Sequence, residues 1–384
     1  MSTPPEKQTT VSDIAAFIEE WAPPASAQSY DNVGLQIGRP DRPVRSVLVA
    51  LDLTPAVVDE ARSGGIDLIL THHPLIFRPL RSLTPASLSS ALALRLAESG
   101  IALYSAHTNL DASRDGVSFA LARALGLENV AFLQPMTETL FKLVTFVPAT
   151  HADAVRIALA AAGAGRIGEY DACAFASEGT GFFHASANAK PFIGTAGGDV
   201  ERAEEIRLEV EIARWDLART VSALESAHPY EQVAYDVYPV AQPSTRYGMG
   251  AIGTLPAPVN LNAFLDLVCT SLGAEAIRYV ADPDAVVSRV AVCGGSGGDL
   301  IGAARRARAD ALVTADVSYH RFFDTMGDDG AIGMAVVDAG HYETEAMTEA
   351  LLVDRLAARF PGVTFQRTRH RTGPIRWHAR GRTM

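Results

Sequence analysis

Five residues stand out for what they could bind together: His72, His73, Asp111, His341 and Glu345. His72-His73 follow the apolar run Ile66 to Leu70, and Asp111 closes Ala106-His107-Thr108-Asn109-Leu110-Asp111 after another such run. His341 and Glu345 are spaced i, i+4, so on a helix both side chains would point to one face. Three imidazoles and two carboxylates at strand ends make a ligand set for divalent ions. Five ligands suit two ions better than one, because a carboxylate can bridge a pair ~3.5–4 Å apart. Adjacent histidines suit this too, one serving each ion. Taken singly, each feature has a plain structural explanation. His-His-Pro could be a helix cap and turn, Asp111 could cap the next helix, and His341 with Glu345 could be a surface pair. Their joint placement points to metal.

Two more histidines, His107 and His320, fall beside predicted strand ends near these ligands. A histidine close to metals that is not itself a ligand suits proton transfer, so both are candidate catalytic groups. The alternatives are a ligand-orienting role for His107 and a structural turn role for His320. Asp316, one helical turn earlier, is placed to orient His320. The turn Gly294-Gly295-Ser296-Gly297-Gly298 leads into a predicted helix, a weak phosphate signal. It is not a P-loop, because the Gly-Lys-Ser/Thr ending is absent.

The elements that must position these residues alternate as strand and helix. Val44 to Leu53 is an apolar run, and Thr54-Pro55 then opens a helix that ends at Gly64-Gly65. Ile66 to Leu70 is the next strand, Pro85 to Gly100 a helix, and Ile101 to Ser105 a short strand. From about Arg246 the pattern returns: strand Val287 to Cys293, helix Asp299 to Arg308, then strands Ala311 to Thr314 and Met334 to Val337. This is the parallel α/β pattern. A shift of 243 positions lays SVLVALDLT on RVAVCGGSG and IDLILTHHP on ADALVTADV, so that Asp67 meets Asp310 and Thr71 meets Thr314. A degenerate internal repeat would put both polar sets at equivalent carboxyl ends of strands, where open α/β sheets bind ligands.

The middle reads differently. Lys142 to Val147 is a predicted strand, Ala152 to Ala162 a helix, and a Gly-rich hairpin follows. Then come the alternating strand Arg207 to Ala213, a helix, and the strand Val233 to Val240. That order describes a ferredoxin-like α+β module. The expected organisation is therefore a discontinuous α/β domain, 1–136 with 246–384, split by an insert at 137–245. His228 and Glu231 near the end of the insert fit a turn after a helix.

Composition narrows the classes. The 384 residues carry 33 Lys plus Arg against 44 Asp plus Glu, a net charge of −11, which argues against nucleic acid as a partner. The chain is 48% hydrophobic and 20% charged, enough for a core and against disorder. No apolar stretch reaches the ~18 residues of a membrane span, and the N-terminus carries no signal sequence. Cys173, Cys269 and Cys293 are scattered and odd in number, as suits a reducing cytoplasm. Arg367 to Met384 is an Arg-rich end, read as a solvated or disordered terminus in preference to a nucleic-acid contact.

Taken together, several stretches resemble one family. They are Tyr30-Asp31-Asn32-Val33-Gly34-Leu35-Gln36-Ile37-Gly38, Thr71 to Phe77, Ala106 to Asp111, Gly294 to Gly297, Thr314 to His320 and Asp338 to Glu345. The chain resembles, over nearly its whole length, the dinuclear-metal-centre proteins known as GTP cyclohydrolase 1 type 2, the Nif-three-like group. Gly165-Arg166-Ile167-Gly168-Glu169-Tyr170 and His228-Pro229-Tyr230-Glu231 are similar to the insert of its longer members, which is like the trimeric nitrogen-regulator and copper-tolerance proteins. The resemblance implies a two-lobed Nif-three-like α/β domain and two divalent metal ions per chain. His72 and Asp111 would hold one ion, His73 and His341 the other, with Glu345 bridging. It also implies a homohexamer, a trimer of dimers with metal sites facing an internal cavity, whose opening the insert could cap.

Ligands of this type fit zinc, iron, manganese or nickel. Two such ions lower the pKa of a shared water toward ~7. In the cyclohydrolase reading that hydroxide attacks C8 of GTP, the ring opens and formate leaves, with His107 or His320 moving protons. A metallophosphatase or phosphodiesterase is a second possibility, for which Arg78 and Arg321 are the nearby phosphate clamps. A non-enzymatic metal-binding ring, scaffold or regulator, is the third.

Overall fold

The computed structural model describes residues 8–168 and 170–378. They form two compact units. One joins the chain up to Gln134 with the chain from Tyr247 onward; the other is Pro135–Arg246.

The first unit begins with α1 (Val11–Trp21), held by a capping box between Thr10 and Asp13. Strands β1 (Gly34–Ile37) and β2 (Ser46–Ala50) follow, then α2 (Pro55–Ser63). Thr54 caps α2 by accepting from Val57 N, Pro55 takes the first turn and Gly64 ends it, as the sequence indicates. Strand β3 (Leu68–Thr71), α3 (Leu88–Ser99), β4 (Ala102–Ser105), α4 (Thr108–Asp111), α5 (Val117–Ala124) and β5 (Glu128–Pro135) complete the first stretch.

The second unit runs β6 (Leu140–Pro148), α6 (Ala152–Ala161), β7 (Ala174–Phe183), β8 (Glu201–Ala213), α7 (Leu217–Ala227) and β9 (Tyr235–Val240). Its sheet order is β7-β8-β6-β9, antiparallel throughout. Leu143, Val147, Leu208 and Val210 bury against Val155, Leu159 and Leu224 of its two helices. His228 caps the end of α7, with Nε2 on the Phe146 carbonyl at 3.0 Å and Nδ1 accepting from Tyr230 N at 3.1 Å. It is a satisfied structural histidine.

The chain then returns to the first unit with β10 (Gly248–Asn260), α8 (Leu261–Leu272), β11 (Arg278–Val280), β12 (Val286–Ser296), α9 (Ile301–Arg306), β13 (Ala311–Ala315) and β14 (Ala335–Asp338). It closes with α10 (His341–Glu345), α11 (Met347–Arg359) and β15 (Thr364–Arg367). Two sheets result, ordered β1-β4-β3-β2-β15 and β11-β14-β13-β12-β10-β5. The strands β3, β4, β13 and β14 are buried along their whole length, which is why they read as unbroken apolar runs and not as alternation.

The 243-residue offset appears in the hydrogen bonding. Val47 pairs with Leu68 in one sheet and Val290 with Ala311 in the other, both parallel. Asp67 Oδ2 accepts from Arg45 N and Ser46 N at 2.8 and 3.2 Å. Asp310 Oδ2 accepts from Ser288 N and Arg289 N at 2.9 and 2.7 Å. In both sheets the third parallel strand carries an antiparallel partner, β1 on β4 and β11 on β14. Helices α5 and α11 serve both sheets: Val117, Leu352 and Leu356 join the core of the first, and Phe119, Leu121 and Met347 that of the second.

One expectation needs correction. The Gly294–Gly298 run is not a turn before a long helix. Strand β12 continues through Gly294 and Gly295 to Ser296, and only a 3-10 turn, Gly298–Leu300, separates it from the six-residue α9. No helix N-terminus of useful length remains for phosphate. The arginines of the C-terminal segment are solvated as expected, with Arg367, Arg369, Arg371 and Arg376 all exposed, while its backbone is tied to the fold in its described part. Strand β15 pairs with β2, Arg371 pairs with Glu343 and lies over the Tyr342 ring, and Thr372 is buried. Arg380 and Arg382 lie outside the described residues, as does Glu169.

Asp67 and Asp310 each accept two backbone N–H groups at a strand start. Asp67→Ala or Asp310→Ala should therefore cost about 1–3 kcal/mol, read as a lower melting temperature by calorimetry. An unchanged melting temperature in both variants would show that these bonds carry no stability.

Candidate metal centre

The five candidate ligands meet at the carboxyl ends of β3, β4 and β14. His72 and His73 leave the end of β3, Asp111 ends α4 just past β4, and α10 begins at His341 just past β14. Short helices after parallel strands turn their side chains back across the sheet end, where open α/β sheets bind ligands.

Each imidazole is fixed through Nδ1. His72 Nδ1 lies 2.7 Å from the Ala106 carbonyl. His73 Nδ1 lies 2.7 Å from Asp52 Oδ1, and Asp52 Oδ2 accepts from Thr372 Oγ1 at 2.7 Å. His341 Nδ1 lies 2.7 Å from Asp316 Oδ2, and His107 Nδ1 lies 2.9 Å from Asp31 Oδ1. An acceptor at Nδ1 makes that nitrogen the donor and leaves Nε2 as the lone pair, the arrangement that orients histidines on metals.

The Nε2 atoms converge on Glu345. His72 Nε2 is 3.8 Å from Glu345 Oε1 and 3.5 Å from Asp111 Oδ1. His73 Nε2 and His341 Nε2 are 3.0 and 3.1 Å from Glu345 Oε2, and 3.3 Å from each other. The contacts to Oε2 are within ion-pair reach but off hydrogen-bond alignment, since Oε2 has no hydrogen-bond partner. Among the described residues, six buried side-chain N or O atoms lack such a partner, and three of them are His72 Nε2, Asp111 Oδ1 and Glu345 Oε2. An orphaned buried polar atom costs about 1–3 kcal/mol. Three in one place mark a position built for something electropositive. The residues therefore fit a metal, and three groups could each hold an ion: His72–Asp111–Glu345, His73–His341–Glu345 and His72–His73–His107.

Electrostatics agree. Burial would lower the His73 pKa, but the hydrogen bond to Asp52 and the close carboxylates of Glu345 and Asp52 overcome it and lift it to about 10. Glu345 likewise lifts His341 to about 9 against its burial. Burial and the Glu345 charge push Asp111 up. Glu345 is buried yet held low, because three imidazoles face it. Without metal, the cluster balances its carboxylates with protons.

Local backbone makes room for this. Gly295 has φ +58, and a Cβ there would stand 2.2 Å from Glu345 Oε1. Asp316 is itself left-handed, at φ 53, a conformation Asp tolerates better than most residues. That turn sends its carboxylate to His341. The expectation that Asp316 orients His320 is thus corrected. His320 is exposed in the 3-10 turn Tyr319–Thr325, packs edge-on against Tyr319, and belongs to none of the three ligand groups. His107 does meet the cluster, with ring centroids 5.2 Å from His72 and 5.4 Å from His73.

Sequence reasoning missed the holders Asp31, Asp52 and Thr372, and the correct partner of Asp316. Asp52 and Asp316 carried a usable signal, since Asp316 directly follows a buried strand and Asp52 stands two residues past the end of another. Thr372 carried none.

A profile of the Duf34/NIF3 family (NGG1p interacting factor 3) matches residues 9–374. A Bacillus subtilis protein named GTP cyclohydrolase 1 type 2 homolog is 41% identical over 346 residues, 90% of this chain and 91% of that one. The structure of a Bacillus cereus protein related to NIF3 superposes with a TM-score of 0.83 at 38% identity, covering 97% of this chain and all of that one. Staphylococcus aureus SA1388 gives a TM-score of 0.76 at 27% identity, over 97% of this chain and all of that one.

Two outcomes follow. Metal uptake must expel protons from His73 and His341, whose metal-free pKa values of about 10 and 9 keep both charged at pH 7. Affinity should therefore climb as pH rises toward 9. Titration calorimetry at pH 7 should show heats that depend on the buffer's ionisation enthalpy; buffer-independent heats would contradict the protonated cluster. Gly295→Ala should lose most bound metal while keeping its circular dichroism spectrum. Gly273→Ala, also at positive φ but with nothing within 4 Å, should keep its metal.

Proposed function

The chain belongs to the Duf34/NIF3 family, and from that premise and the facing ligand atoms we propose that it is a hydrolase with a dinuclear metal centre. The observation that carries this is the set of unpartnered buried atoms on His72, Asp111 and Glu345 beside two imidazole nitrogens 3.3 Å apart. His72 and Asp111 would hold one ion and His73 and His341 the other, with Glu345 serving both; its Oε1 lies toward His72 and its Oε2 toward the other pair. Bound divalent ions supply Lewis acidity that brings the pKa of water from ~15.7 toward ~7.

The chain's own groups do the rest. Asp52 and Asp316 hold His73 and His341 in one tautomer, and Thr372 fixes Asp52. His107 is the proton-transfer group. Its Nδ1 is committed to Asp31, whose fully buried side chain also accepts from Thr108 N at 3.1 Å, so Nε2 is the atom that takes and gives the proton. Burial opposes the Asp31 charge, but His107 and Thr108 hold its carboxyl far below the usual range. His320, exposed and outside the ligand groups, is the second candidate for proton transfer.

The reaction we favour is hydrolysis at C8 of the guanine ring of GTP with release of formate, which the name of the Bacillus subtilis relative supports. A phosphatase is the second reading. Arg78 favours it: exposed, and with no ion pair among the described residues, it is available to a phosphate, whereas Arg321 is engaged by Asp299 and Asp324. We further propose that the Pro135–Arg246 unit is a ferredoxin-like insert, supported by its strand–helix–strand–strand–helix–strand order. The family resemblance supports a homohexamer built as a trimer of dimers, and three free cysteines fit the cytoplasm.

Formate release from GTP by metal-loaded protein tests the reaction. His107→Ala should lower kcat by about 10²–10⁴ with metal content unchanged, and His320→Ala by less than about tenfold. Phosphate release without formate would replace the first reading by the second. Loss of thermal stability on chelation, with neither product ever formed, would leave the metals a structural role.

A further inference from the structure

An aromatic path leads from solvent to the cluster. Tyr30 is 65% exposed and Phe77 42% exposed, large values for such rings. Their centroids are 6.2 Å apart, Phe77 is 6.5 Å from His107, and His107 touches both His72 and His73 edge-on. Scattered exposed aromatics need no explanation, but these two are contiguous with the reaction centre.

The loops that carry the pair are also tied to each other. Asn32 Nδ2 donates to the Ile76 carbonyl, and Gln36 Oε1 accepts from Ile76 N at 2.9 Å. Gln36 Nε2 in turn donates to the Asn32 carbonyl at 2.8 Å. The loop carrying Tyr30 and the loop carrying Phe77 are thus tied two residues from the first ring and one from the second. Between Tyr30 and Asn32 sits Asp31, the residue that fixes His107. One three-residue stretch therefore provides a ring, the holder of the proton-transfer histidine and the tie to the second ring. Ordering of exposed rings beside a site lowers the entropy cost of stacking a ligand on them.

We propose that Tyr30 and Phe77 form the wall on which a fused heteroaromatic ring of the substrate rests beside His107. The proposal rests on the cluster being the reaction centre. The wall reads the face of the ring, since every fused heteroaromatic offers a π-face, and leaves selection among such rings to other contacts. A ring seated there stands against the Phe77 face, within reach of the imidazole that moves the proton.

The test is binding to the metal-loaded full chain by titration calorimetry, with GTP and inorganic triphosphate as probes. Wild type should prefer GTP by about tenfold or more, the size of one stacking contact. Tyr30→Leu and Phe77→Leu should reduce that preference to near unity with bound metal retained, and Phe77→Trp should restore it. Equal affinity of wild type for both probes, or a preference that survives both Leu variants, overturns the wall. Loss of the oligomer in the Leu variants, seen by sedimentation, would instead make this patch a subunit contact and overturns it as well. Ring preference without formate release sinks the GTP reaction and leaves the wall standing. Formate release with an unchanged KM in Phe77→Leu sinks the wall and leaves the reaction standing.

Discussion

Two imidazole nitrogens 3.3 Å apart, each with its other nitrogen committed to a carboxylate, present lone pairs to each other and to a third carboxylate. That arrangement is repulsive unless positive charge sits inside it. Protons can supply the charge, which is why His73 and His341 titrate so high without metal. Divalent ions supply more of it, and from a fixed position. The surrounding hydrogen bonds to Asp52 and Asp316 hold these groups together.

The two sheets divide this work. The first supplies His72, His73 and Asp111 from the ends of β3 and β4; the second supplies His341 and Glu345 after β14, and Gly295 at the end of β12. Equivalent hydrogen bonds repeat around both. Ala106 N donates to the Thr71 carbonyl at 2.9 Å, and Ala339 N donates to the Thr314 carbonyl at 2.8 Å. These bonds launch the short helices α4 and α10 at matching points, each carrying one candidate carboxylate ligand. His73 and Asp316 occupy matching positions under the 243-residue shift. One is a candidate ligand and the other holds a candidate ligand, so matching backbone positions carry complementary side chains. The end of the chain closes the arrangement, since Thr372 fixes Asp52 and Asp52 fixes His73.

The sequence showed the strand ends well, because buried parallel strands are short apolar runs and polar residues follow them abruptly. The same rule exposed all five ligand candidates and the repeat. It failed where one residue type had two local explanations. The glycines after Cys293 looked like a turn, yet Gly295 is needed because Glu345 fills the space its Cβ would take. Asp316 looked like the partner of a nearby histidine, but a left-handed backbone at that position turns it to His341 instead. The ties of the C-terminal segment to Glu343, Glu60 and Tyr342 were not legible, because those partners are remote in sequence. Such long-range pairs leave no periodic trace.

The most direct test of the dinuclear centre is a crystal of protein purified without chelator, measured by anomalous scattering at the edge of the metal that elemental analysis finds. The geometry predicts two peaks per chain, about 3.5–4 Å apart, one beside His72 and Asp111 and the other beside His73 and His341, with Glu345 between them. One peak, or none at these side chains, would contradict it.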